Sequence, residues 1–186
     1  MEDPDIARLL GFWFGELEPK DYWTRNDALD ERIRREFGAL YERASAGGLD
    51  HWQETPEGAL ALVIALDQLP RNMFRGEPRA FATDEKALDV AEGAIERGFD
   101  RRLPNDRCMF LYMPFEHSED LSVQERSLEI FRRLGLTDEV YGFVVRHHEI
   151  VARFGRFPHR NRILGRETTP EEAAFLEEPN SSFGGY

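Results

Sequence analysis

The chain has 186 residues, 41% of them hydrophobic, with 24 Lys and Arg against 36 Asp and Glu and a formal net charge of −12. That length suits one domain with a sizeable core, expected over residues 1–186. The acidic balance argues against general binding to nucleic acid or anionic membranes. The single cysteine, Cys108, excludes an intrachain disulfide and a cysteine-rich metal site. The longest apolar run, Ala59 to Leu66, has eight residues, against the roughly 20 that span a bilayer. Acids stand where a signal peptide carries its basic region, so a cytoplasmic protein is expected.

Helix signals punctuate the chain almost throughout: a capping residue, then Pro or an acid, then apolar positions three and four apart, then Gly. Asp3-Pro4-Asp5 opens a short helix with Ile6, Leu9, Leu10 and Trp13. Asn26-Asp27 opens the next, where Leu29, Ile33, Phe37, Leu40 and Ala44 form one stripe. Thr55-Pro56-Glu57 opens a segment that is apolar nearly all round through Leu69, the expected central buried helix. Thr83-Asp84-Glu85 caps another, and Pro104 and Pro114 bracket a shorter one. Ser118-Glu119-Asp120 and Thr137-Asp138-Glu139 open two helices joined by a short loop, the pattern of antiparallel neighbours. Thr169-Pro170-Glu171-Glu172 is a capping box, and NSSFGGY is a polar tail. No alternating strand pattern competes, and about eight helices in an all-α fold are expected.

Three segments carry the candidate chemistry. In LDQLPRN, Pro70 breaks the helix next to Asp67 and Gln68, and an anion at the C-terminal end of a core helix requires a cation. Arg71 and Asn72 complete either a polar pocket floor or a network that stabilises the corner. In FEHSED, Glu116 and His117 are expected in a connection between helices, where a carboxylate can orient an imidazole for proton transfer. In RHHEIVARFGRFPHRNRILGR, six Arg and three His meet one acid. His147 lies on an apolar stripe and reads as a core histidine. Arg156, His159, Arg160 and Asn161 follow in a loop, where guanidiniums suit a carboxylate or phosphate, unless they pair with the chain's own acids.

Phosphate-binding glycine loops, nucleophile elbows, HExxH, CxxC and the Glu-x-x-His of di-iron bundles are all missing from the sequence. No spacing demonstrates a metal site, and no cofactor is indicated. The run from GFWFGE through LDQLPRNMFRG, AFATD, FLYMPFEHSED and RFGRFPHRN to LGRETTPEEAAFL resembles the bacterial domain-of-unknown-function family 924 over nearly the whole chain. The resemblance implies an array of antiparallel helical hairpins similar to tetratricopeptide repeats, and it implies no catalytic assignment.

Two functional expectations follow. One is a pocket for a small anionic ligand, phosphate or carboxylate, with Asp67, Gln68, Arg71, Asn72, Arg156, Arg160 and Asn161 binding and Glu116, His117 and His159 moving a proton. The other is a helical array that docks a peptide or protein without catalysis.

Overall fold

The computed structural model describes residues 3–179 and 181–183, and helix is the only regular structure among them. The helices are α1 (Pro4–Gly11), α2 (Pro19–Trp23), α3 (Asp27–Ser45), α4 (Pro56–Val63), α5 (Leu69–Met73), α6 (Asp84–Glu96), α7 (Asn105–His117), α8 (Leu121–Arg132), α9 (Asp138–Phe154) and α10 (Pro170–Leu176). The eight anticipated starts are present. The short α2 and α5 are additional. No helix among the described residues is long and apolar enough to cross a membrane.

Caps act as local chemistry requires. The side chains of Asp3, Asn26, Thr55, Thr137 and Thr169 each accept a backbone N–H in the first turn of their helix. Glu172 returns the bond to Thr169 N at 2.8 Å, completing the capping box. Gly155 ends α9 at φ 68°, a left-handed conformation that costs glycine nothing extra.

Helix α4 is central, packed by α1, α6 and α7. Leu60, Leu62, Val63, Ile64 and Leu66 are completely buried, and each contributes about 1.5–3 kcal/mol of transfer free energy. A second, smaller cluster of Ile150, Val151, Phe157 and Phe175 lies under the C-terminal segments.

Three local expectations change. Helix α7 runs through Pro114 to His117, so Glu116 and His117 sit in its last turn, not in a connection. Pro114 only withdraws one intrahelical bond, and packing of α7 against α4, α6 and α8 holds the rest. The cap of α8 is Asp120, not Ser118: its carboxylate accepts from the backbone of Ser122 and Val123. The tail is not merely polar, because Phe183 packs on the second cluster.

At Pro70 the central helix does not stop. Ile64–Gln68 widens into a π-turn, Leu69 N bonding back to Ile64 O, before α5 resumes. The proline cannot donate to Leu66 O. The Thr83 hydroxyl does so instead, at 2.5 Å, and Arg71 Nη1 donates to Asp67 O at 2.7 Å. Thr83 thus serves a neighbouring helix rather than capping its own with its side chain.

Candidate functional site

The π-turn carries Asp67 into the protein interior with no solvent exposure. A carboxylate there needs several donors. Gln68 Nε2 donates to Oδ2 at 2.6 Å, while Oδ1 meets His117 Nδ1 at 2.7 Å and Arg71 Nη1 at 3.1 Å. Arg71 reaches Asp67 because it lies one helical turn later. Burial pushes the Asp67 carboxyl up, but the charge of Arg71 and then His117 outweigh it, leaving the group well below the usual carboxylate range. His117 moves down, through burial and then the Arg71 charge, with Asp67 opposing but not reversing the shift.

At neutral pH the pair is therefore an ionised carboxylate and a neutral imidazole. A carboxylate only accepts, so Nδ1 carries the proton. His117 also lines an open groove of about 510 Å³ between α6, α7 and the segment after α9. With Nδ1 committed to Asp67, Nε2 is the ring atom left for an occupant.

The groove wall is held by a carboxylate from the capping run Thr83-Asp84-Glu85. Asp84 accepts two bonds from Arg71, at 2.8 and 2.9 Å, and a longer one from Arg160 at 3.4 Å. Arg160 also donates to His117 O at 3.0 Å, and its guanidinium lies 4.6 Å from the ring centres of Phe81 and Phe157. Glu119, expected as a capping acid, takes a fork from Arg166 at 2.6 and 2.9 Å and the backbone N–H of Phe157 at 2.8 Å. Its carboxyl sits below the usual range: burial raises it, and Arg166 and Phe157 more than compensate.

Glu116 turns away from its neighbour's partner, as adjacent residues on a helix do. It meets His147 Nδ1 at 2.8 Å, and the His117 and His147 rings are 6.2 Å apart. Burial raises the Glu116 carboxyl, and the charge and hydrogen bond of His147 lower it further than that. His147 is therefore buried as expected, but it serves as a carboxylate's partner. His159 is partly buried beside Phe157, and desolvation, then the nearby Arg160, push it down to about 3.

The remaining candidates lie elsewhere. Asn72 donates to Asp30 of α3 at 2.8 Å, alongside Arg75. Arg156 forks onto Glu172 at 2.7 and 2.9 Å, holding that carboxyl down to about 2 mainly through this hydrogen bond. Asn161 is completely buried, donating to Glu172 at 3.1 Å and accepting from Arg166 at 3.0 Å. These three hold a corner and a C-terminal clasp; they do not line the groove.

The expected surplus of arginine is thus answered by the chain's own acids. Asp84, Glu85, Glu119 and Asp120 line the groove together with Arg160. Among the described residues, no group of three His, Cys, Asp or Glu side chains is arranged to hold a metal ion.

Residues 9–180 match the family described as bacterial protein of unknown function, DUF924. The solved structure of ATU0120, a protein of unknown function from Agrobacterium tumefaciens, is 41% identical over 95% of this chain and 98% of that one, with a TM-score of 0.89. No curated protein matches the chain.

Proposed function

The chain belongs to the DUF924 family, and within it we propose an acid–base site, with Nε2 of His117 as the proton acceptor for a small neutral or cationic ligand held in the groove. One observation carries the reading: a fully buried Asp67, fixed by Arg71 and Gln68, grips His117 Nδ1. A histidine pinned this way has one tautomer and one orientation, which is what proton abstraction from an N–H or O–H needs. Asp84 and Glu119 are ion-paired with Arg71, Arg160 and Arg166, so Glu85 and Asp120 are the lining charges that favour a ligand with a positive group or several donors over a phosphate or carboxylate. Asp84 is a positioning residue, keeping Arg71 and Arg160 around the dyad. A cytoplasmic address is part of this proposal, and no helix among the described residues is long and apolar enough to cross a membrane.

The test is a thermal-shift screen of small amines, diamines and polyols against phosphate and citrate, run on wild type and His117→Gln. Amines or polyols should stabilise the wild type and lose that effect in the variant. Stabilisation by the anions alone would overturn the reading.

The docking alternative rests on Val140 and Phe143, 38% and 56% exposed on adjacent turns of α9. In a tetratricopeptide-like array, such a face would take an apolar peptide.

A further inference from the structure

Glu116 and His117 are adjacent on α7, so their side chains leave the helix about 100° apart. Each finds the opposite kind of partner: His117 meets the Asp67 carboxylate, and Glu116 meets the imidazole of His147 on α9. Two carboxylate–imidazole dyads therefore lie side by side, with Glu116 and His147 both buried and the two ring centres 6.2 Å apart.

The second dyad has its tautomer fixed as firmly as the first. His147 Nδ1 lies 2.8 Å from a Glu116 carboxylate oxygen and 2.8 Å from Phe143 O. Both are acceptors, so Nδ1 carries the proton. In each ring any further proton goes to Nε2. The charge of an imidazolium spreads over the whole ring, so the distance between centres sets the repulsion between two protonated rings. At 6.2 Å and an effective dielectric constant of about 20, two unit charges repel strongly enough to separate two equal titrations by about 2 pH units.

The surrounding charges stay fixed while the imidazoles titrate. His117 faces Asp67 and Arg71 across the π-turn, Glu116 on its own helix, and Arg160, which donates to its carbonyl. Asp84 of α6 is paired with those two arginines, and Glu119 with Arg166. His147 faces Glu116 and, from the segment after α9, His159. The Asp67 and Glu116 carboxyls are both lowered and so remain ionised. His159, pushed down to about 3, remains neutral.

We propose that Glu116 and His147 form a second dyad that governs the first: a proton on His147 disables His117 as a base, and the pair holds one proton at a time. The inference deepens the acid–base reading of the groove and rests on it for its function. His117 lines the groove and would meet the ligand, whereas Glu116 and His147 act through His117 and are positioning residues.

The full chain, labelled with 15N-histidine, is titrated from about pH 9 to the onset of acid unfolding as wild type, His117→Gln and His147→Gln. Each variant gives the midpoint of one imidazole without its neighbour. For independent groups the two wild-type midpoints add up to the sum of those values; here the wild-type sum should be lower by at least about 1 pH unit. An imidazole that takes no proton before wild type unfolds, yet takes one in the variant lacking its neighbour, equally upholds the coupling. Sums that agree within about 0.3 unit, or a histidine that takes no proton even without its neighbour, overturn the proposal. Where a glutamine variant fails to fold, the asparagine variant replaces it, and failure of both makes that histidine a structural residue and ends the proposal. The titration needs no ligand, so a lowered sum with no ligand ever found would end the acid–base function and leave the coupling. A ligand effect at His117 with additive midpoints would end the coupling alone.

Discussion

Replacing Asp67 by Asn tests whether one buried carboxylate organises the site. The carboxylate is completely buried and accepts from Gln68, His117 and Arg71 at 2.6, 2.7 and 3.1 Å. An amide of the same size offers one acceptor oxygen where the acid has two, so either Gln68 Nε2 or His117 Nδ1 faces an N–H. Arg71 retains its fork on Asp84, and His117 can exchange tautomers. Both reliefs place the loss near the lower end of the range for breaking a buried pair, about 3 kcal/mol at pH 7. For a chain of this length that is a Tm decrease of roughly 6–12 °C. The sign of the pH dependence follows from the lowered Asp67 pKa. A depressed carboxyl stabilises the fold at pH above its unfolded value of about 3.9 and loses that contribution as pH falls through the folded value. Urea unfolding of wild type and Asp67→Asn at pH 7 and at pH 3 should therefore show a full gap at pH 7 that narrows at pH 3. A loss under about 1 kcal/mol at pH 7, or a gap that widens in acid, would refute the reasoning.

Further outcomes follow from particular contacts. Thr83→Val keeps the shape but strips the donor from the buried Leu66 carbonyl, and should cost about 1–3 kcal/mol by urea denaturation; a neutral result would mean that another donor takes over. Gly58→Ala should destabilise by about 1–3 kcal/mol although alanine is the better helix former, because a Cβ there collides with the Trp52 carbonyl; a gain in Tm would show that the contact yields. His159 has its folded pKa pushed down to about 3, so the unfolded chain takes up a proton below about pH 6.5 and the folded one does not. Stability should fall with pH across that window by up to about 1.4 kcal/mol per unit from this group, and His159→Gln should flatten the slope of unfolding free energy against pH. Unfolding of residues 1–186 is expected as one transition by circular dichroism and tryptophan fluorescence, and two separated transitions would divide the chain into two units.

The helices and the central core were legible in the sequence because their causes are local. Caps such as Asn26 and Thr169, the stripe from Leu29 to Ala44 and the apolar run from Ala59 to Leu66 specify helix and burial within a few turns. The importance of Asp67 was legible for the same reason, since an anion beside Pro70 at the end of a core helix demands a cation. Its partners were readable only in part. Arg71 lies one turn away, but His117 comes from 50 residues on, and the Arg71 fork lands on Asp84, 13 residues on. In sequence Asp84 resembles any acid in a first helical turn; only the surplus of arginine hinted that such acids would be claimed. Pro114 shows the converse, a local breaker overruled by packing on three sides. Phe183 stood in a run of Ser and Gly with no period to place it, and Glu116 found His147 rather than a neighbour in sequence. Local propensity determines helices because each turn closes on itself within four residues. Ion pairs and ring stacks close between segments that only the folded chain brings together, so tertiary structure alone decides which charge meets which and which side of the groove is acidic.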